Sequence, residues 1–360
     1  QQLIVDAAVD DRTRVMAQYQ TLETSFQLKK YDQVIEEGQT LLRDFPNSVY
    51  ETVTFYDIAW SYFELGKNRE AIEHYEQVLL LSPSGSHSDR SLLQIAECYD
   101  RLDNEERALH YLDRLISRYD FSAMTEDELR AMQTAKLSGS IKETARELVA
   151  SAQLRKGDIY AGRGEINQAL AAYAVVPEKY AAETRLVQNS YIRSAELVHE
   201  HRGVDAAIAA YKRAIREVED ELFQARTQLT VARLLFESAE YVEAVEEYQI
   251  YLQAYLRIAA RAGFTADKVL FRIAQCYQSE GGRLHATDAA ASQAAFDEAL
   301  RTYQQLLREY QDTSLVPDAY FGLGFTQQLR GENTEARTHY RALVDYYPEH
   351  PAAANSLLKL

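Results

Sequence analysis

Covalent and metal cross-links have almost nothing to work with in this chain. Only two of its 360 residues are Cys, Cys98 and Cys276. They stand far apart, outside any CxxC pair and without a His at ligand spacing, which excludes a disulfide framework and a zinc-built fold. Six Pro and 14 Gly are few for this length, and with 46% hydrophobic and 26% charged residues they suit a mostly helical protein with few tight turns. No stretch of 18 or more residues is apolar, so no segment reads as a membrane-spanning helix. Positive charge is also in deficit, with 39 Lys and Arg against 55 Asp and Glu, a net charge of -16. Nucleic acid and anionic lipid would be repelled by that balance, and a neutral or basic partner is favoured. The sequence opens at Gln1 without an initiating Met, which leaves room for a processed segment, a signal peptide or a lipid anchor upstream.

What the chain has is Ala, Tyr (25 of them, against a single Trp) and a repeat. A small residue followed four positions later by a bulky one, which places both on one helix face, recurs as Ala71 with Tyr75, Ala108 with Leu112, Ala169 with Tyr173, Ala207 with Tyr211, Ala244 with Tyr248, Ala299 with Tyr303 and Ala336 with Tyr340. An eighth, degenerate copy is Val34 with Gly38. Twelve residues before six of these anchors stands a further small residue: Ala59, Ala96, Gly157, Ala195, Ala232 and Gly324. Turn signals lie between the paired small residues, as in Leu65-Gly66-Lys67-Asn68 and Leu329-Arg330-Gly331-Glu332. Each unit therefore reads as helix, short turn, helix, with small residues where the helices approach and Tyr filling the space beside them.

This pattern resembles the tetratricopeptide repeat (TPR) family, whose W-x2-L-G-x2-Y…A-x3-F…P motif is matched by Phe55-x2-Ile58-Ala59-x2-Tyr62…Ala71-x3-Tyr75…Pro83 and by Tyr320-x2-Leu323-Gly324…Ala336-x3-Tyr340…Pro348. The resemblance runs from about Gln18 to Leu360 and implies an all-α, right-handed α-solenoid of about eight helix-turn-helix units with a helical insertion. The period is 37 or 38 residues in place of the family's usual 34 or so, and the added residues fall in connections such as Phe45-Pro46-Asn47-Ser48 and Tyr347-Pro348-Glu349-His350-Pro351. In this the chain is similar to the long-period TPR lipoproteins and coordinators of bacterial outer-membrane assembly and Tol-Pal systems. The expected organisation is units 1–3 in residues 1–120, an insertion with its own helix in 121–150, and units 4–8 in 151–360, as one continuous superhelix. Thr125-x-x-Glu128 predicts a capping box in the insertion. A second surplus, around Gly281 to Ala294, is expected to lengthen the inner turn of the seventh unit as a loop with a helix start.

Catalytic chemistry finds no foothold. Gly162-x-Gly164 has Asn167 where a dinucleotide loop needs its third Gly, and it sits in a helix-helix turn. His199-x-His201 points its two rings to different sides of a helix, so no metal site is expected. Runs such as Glu243-Ala244-Val245-Glu246-Glu247 read as solvated faces, and Cys98 and Cys276, each beside the Tyr of a first helix, as small buried residues. Ten of the Tyr are absorbed by repeat packing. No catalytic residue, cofactor or metal is expected, and the chain is read as no enzyme.

The resemblance implies a scaffold that binds a protein or peptide in the concave groove formed by the first helices, with a periplasmic location as the envelope-type expectation and a cytoplasmic one as its rival. A structural subunit of a large assembly, or the regulatory TPR region of a longer signalling or glycosyltransferase protein, are the alternatives. The carboxylate clamp of chaperone-binding TPRs needs Lys and Asn on the inner helices, where this chain has Tyr56, Trp60, Leu93 and Glu97. The residues three before and one after each small slot share an inward stripe. They are Tyr19, Glu23, Tyr56, Trp60, Leu93 and Glu97 in the N-terminal half and Leu229, Arg233, Phe271, Gln275, Phe321 and Phe325 in the C-terminal half. The alternative for Trp60 is plain packing against a neighbouring helix.

Overall fold

Helix is the only regular structure among the described residues, which are 10–119, 125–137 and 144–359 of the computed structural model. The chain divides into two compact units, Gln1–Ser190 and Tyr191–Leu360. In the first, α1 (Asp11–Gln27) pairs with α2 (Tyr31–Asp44), α3 (Glu51–Glu64) with α4 (Asn68–Leu81), α5 (Ser86–Arg101) with α6 (Glu105–Ile116), and α8 (Ala145–Gly162) with α9 (Ile166–Lys179). The insertion contributes α7 (Glu126–Leu137), and α10 (Thr184–Arg202) carries the boundary between the units. In the second unit α11 (Val204–Glu217) packs on α12 (Glu221–Glu237), α12 pairs with α13 (Tyr241–Tyr255), α15 (Ala266–Leu284) with α16 (Ala289–Glu309), and α17 (Val316–Leu329) with α18 (Asn333–Tyr346). A short α14 (Ala259–Ala262) precedes α15, and α19 (Pro351–Leu357) packs on α18. The repeat helices number sixteen, as the anchors predict, and the fold is an all-α solenoid of helix pairs.

The pairs close because the small slot and the bulky anchor meet. A Cβ added to Gly324 would lie 2.7 Å from Cε1 of Tyr340, and one at Gly157 would collide with the ring of Tyr173, so each Tyr lies flat on the first helix where a larger residue would hold it off. The degenerate first pair inverts the arrangement: Gly38 on α2 makes room for Ile58 of α3, 2.7 Å from a Cβ placed there. Tyr75, Tyr173, Tyr211, Tyr248, Tyr303 and Tyr340 are all buried, each worth about 1.5–3 kcal/mol of apolar transfer. Cys98 and Cys276 are free and buried, and burial pushes each thiol up to about 12.

Six of the inner turns share one geometry. The second residue past the first helix is left-handed (Lys29, Gly66, Asp103, Gly164, Ala239, Gly331), and the next amide bonds back five residues, as from Lys67 N to Tyr62 O at 2.9 Å and from Glu332 N to Gln327 O at 2.9 Å. Three of these sites carry no Gly, which hid them as turns in the sequence.

In the insertion the Thr125 amide donates to Glu128 Oε2 at 2.7 Å and the Glu128 amide to Thr125 Oγ1 at 3.3 Å, which is the expected capping box. Residues 121–124 and 138–143 of that expectation lie outside the described ones. Helix α8 packs directly on α5 and α6, so the helix pairs stack across the surplus. The loop expected at Gly281 to Ala294 is corrected by the structure: α15 continues to Leu284 and α16 begins at Ala289, so both helices are lengthened. Gly281 serves close approach rather than a turn, since its Cβ would stand 2.5 Å from Phe296 Cδ1 and its carbonyl accepts from Ser292 Oγ at 2.8 Å. Ahead of α15, the Tyr251 hydroxyl donates to Phe264 O at 2.8 Å and ties down a connection the repeat pattern did not foretell.

Two predictions follow from slot and turn. Ala71→Leu, Ala207→Leu and Ala336→Leu, at slots with at most 2% exposure, should each cost about 1–3 kcal/mol by denaturant unfolding, and unchanged midpoints for all three would contradict the register. Ala239→Gly, by contrast, relieves a left-handed Ala (φ 62°) and should stabilise by up to about 1 kcal/mol, whereas Gly66→Ala should destabilise.

Candidate partner-binding surface

In the first unit the stripe begins at Tyr19 of α1, whose ring stacks on Tyr50 with centroids 4.6 Å apart and whose hydroxyl donates to Asp57 Oδ2 at 3.4 Å. Burial, then the Asp57 charge, pushes that hydroxyl well above the usual phenol range. Glu23, one turn on, is exposed. On α3, Tyr56 is only 8% exposed, with its ring edge-on to Tyr75 at 5.7 Å and to His87 at 5.2 Å, so packing occupies most of its surface. Trp60 is half-buried, 6.4 Å from Tyr56 and 6.0 Å from Phe63, and the Arg101 guanidinium covers the Phe63 ring at 3.8 Å. The structure thus brings Tyr56 and Trp60 together and adds Phe63 and Arg101.

Leu93 on α5 is half-buried, and Glu97 enters a charge cluster. Arg101 Nε lies 3.4 Å from Glu97, while Arg155 of α8 pairs closely with Glu97, reaches Asp100 at 3.2 Å and stands 3.8 Å from Asp158. Glu97 is therefore already engaged by two guanidinium groups, and Arg155 joins α8 to α5. Asp100, Arg101 and Arg155 were missed because only two positions per helix were tracked. Their positions, four and five after the small slot or two before it, are readable in the sequence, but the pairing of α5 with α8 across the surplus is not.

In the second unit Leu229 is half-buried against the core, and Arg233 is exposed, its Nη1 donating to both Glu237 oxygens at 2.9 and 3.2 Å. Phe271 packs edge-on to Tyr303 at 5.7 Å, and Gln275 accepts from Arg272 at 2.8 Å. Phe321 and Phe325 come together as a stacked pair, 6.2 Å apart, with Phe321 on Tyr340 at 5.8 Å and the Lys359 ammonium 5.4 Å from the Phe325 ring centre. Among the described residues no group of three or more His, Cys, Asp or Glu could hold a metal, and no helix is long and apolar enough to cross a membrane.

Two tetratricopeptide-repeat family models match the chain, one over residues 268–313 and 318–350 and the other over 56–123. The chain is a tetratricopeptide-repeat protein. No curated protein matches it. Among solved structures it is similar to the C-terminal part of a TPR repeat-containing protein from Cytophaga hutchinsonii (13% identity, TM-score 0.46, covering 84% of this chain and 99% of that one). It is also similar to a tetratricopeptide repeat protein from Parabacteroides merdae (13%, TM-score 0.44, 87% and 98%) and to YrrB, described as a TPR protein with an unusual peptide-binding site (15%, TM-score 0.36, 57% and 91%). As a TPR protein, the chain is a protein-protein interaction scaffold, and its partner is a protein or peptide.

The phenols give this TPR protein a pH dependence. Burial raises Tyr248 and Tyr340 to about 12; at Tyr111 and Tyr191 burial acts with hydrogen bonds to Glu76 (2.8 Å) and Glu217 (2.6 Å), again to about 12. A raised folded value means the folded state holds the proton more tightly, so this stability is complete below the ordinary value of 10 and is lost as pH climbs towards 12. Helical circular dichroism should collapse together with the rise of phenolate absorbance over that interval. Free titration of most Tyr near 10 with helicity intact would contradict the packing.

Proposed function

We propose that this TPR protein holds its partner on the stripe of first-helix residues, carries out no chemistry of its own, and works in the bacterial cell envelope. The observation that carries the reading is Trp60: the only Trp of the chain is half-buried on a first helix, continuous with the Phe63 ring under Arg101 and near the carboxylates of Glu97 and Asp100. An amphipathic aromatic with part of its surface left to solvent, beside satisfied charges, is what an anchor position offers a partner, and such anchors dominate binding energies. The excess of acidic over basic residues adds a preference for a partner segment with apolar side chains and some basic character. Support for the envelope comes from the long period and the Pro-bearing connections, which resemble those of outer-membrane assembly and Tol-Pal TPR proteins.

The test is binding to the partner captured from the source cells. Trp60→Ala should weaken it by about 2 kcal/mol or more with helicity unchanged. Tyr56→Ala is the poorer probe, because the buried ring would leave a cavity beside Tyr75. Full affinity in Trp60→Ala and Phe325→Ala together would move the binding site off the stripe. Fractionation of cells carrying the natural protein checks the compartment, and recovery from the cytosol alone would overturn the envelope reading.

A further inference from the structure

Seven rings among the described residues of the first unit carry a Lys or Arg of the same chain over their faces, among them Tyr62 under Lys67 at 5.8 Å, Phe63 under Arg101 at 3.8 Å and Tyr99 under Arg107 at 5.3 Å. An indole attracts a cation more strongly than a phenol or phenyl ring does. Trp60 nevertheless carries none among the described residues. It is half-buried, with Tyr56 at 6.4 Å and Phe63 at 6.0 Å, so part of its surface stays open. Arg101 close by is committed to the Phe63 ring and to Glu97 at 3.4 Å.

Two carboxylates beside Trp60 are likewise in no ion pair among the described residues. Glu64 stands one turn further along the same face of α3, exposed, accepting from the Tyr31 hydroxyl at 3.4 Å. Glu23, also exposed, holds on α1 the place that Trp60 holds on α3, and the two helices are in contact. The carboxylates on the other side are taken, Glu97 and Asp100 by Arg155. We propose that Trp60 receives a lysine or arginine side chain of the partner, its charge against the indole face and answered by Glu64 and Glu23, with apolar neighbours in the partner segment lying along Tyr56 and Leu93. A positive charge satisfies the ring and both carboxylates at once, whereas an apolar side chain would desolvate the carboxylates without return and an acidic one would be repelled. Residues 1–9 contain no Lys or Arg and so cannot supply that charge. This cation seat rests on the stripe being the partner's surface.

Trp60 reports on its own occupancy, because no other Trp contributes to the emission. The intact chain is titrated at low salt with the acetylated pentapeptide amide Ala-Leu-Arg-Leu-Ala and with counterparts whose central residue is glutamate or citrulline, the neutral isostere of arginine. The arginine peptide should shift the emission saturably, and the other two should bind about fivefold or more weakly. The double variant Glu23→Gln with Glu64→Gln, both at the surface, should weaken the arginine peptide about threefold or more and leave the citrulline peptide unchanged. Equal affinity for the arginine and citrulline peptides, with both lost by calorimetry in Trp60→Ala, would overturn the cation seat and leave the stripe standing. Equal calorimetric affinity of the arginine peptide for Trp60→Ala and the unaltered chain would remove both. Absence of a saturable shift with the arginine peptide would overturn the proposal. A shifted emission in Lys142→Ala with no peptide present would also overturn it, assigning the ring to a lysine of the chain itself.

Discussion

The close approach of two helix backbones, made possible by a small residue on one and a Tyr laid across it from the other, is the constraint on which the rest depends. Where the slot is Gly157 or Gly324 the ring rests on the backbone itself, and a single methyl would displace it. Side chains of a packed interior have no slack to absorb such a change. The ring gains from a polar tip: Tyr173 donates to Asp158 at 2.8 Å and Tyr340 to Gln328 at 3.0 Å. Tyr is thereby favoured over Phe at these two anchors, while the Tyr75 hydroxyl is buried without a partner.

From that contact the pairs acquire their turns, and the turns their handedness. The left-handed residue after the first helix reverses the chain within three residues, and the same bond back to the last turn recurs whether the position holds Gly66, Asp103 or Ala239. Connections between pairs are secured differently, by an acidic residue in the first turn of a first helix. Asp89 takes Arg118 at 2.8 Å and the Tyr119 hydroxyl, Glu221 takes Arg257 at 2.6 Å, and Asp267 takes Thr313. These latches are partly buried in places and fasten the longer connections that distinguish this period from the family's usual one.

Local spacing made the helix pairs legible in the sequence, because slot and anchor lie on the same helix or twelve residues apart. Gly281 misled for the same reason that Gly324 did not: a Gly signals either a turn or a close approach, and only its partner decides which. Phe296, fifteen residues on, settled it in favour of approach. Lys29 and Ala239 were silent, since nothing in their chemistry announces a left-handed backbone, whereas Asp103 is of a type that tolerates one. Of the candidate site, the aromatic members were read from the stripe, while Arg155 reaching Glu97 and Asp100 depends on α8 docking next to α5, an adjacency that no spacing encodes.

That docking changes how force would travel through the first unit. Helix α8 meets α5 and α6 directly, and Arg155, Lys156 on Asp113 at 2.6 Å and Arg163 near Glu105 at 3.7 Å stitch the two sides together. Tension applied to the ends of the unit therefore runs through side chains across the α6–α8 seam, in parallel with the backbone of residues 117–144 rather than through it. A cut in the chain between the two helices would leave this riveted joint carrying the load.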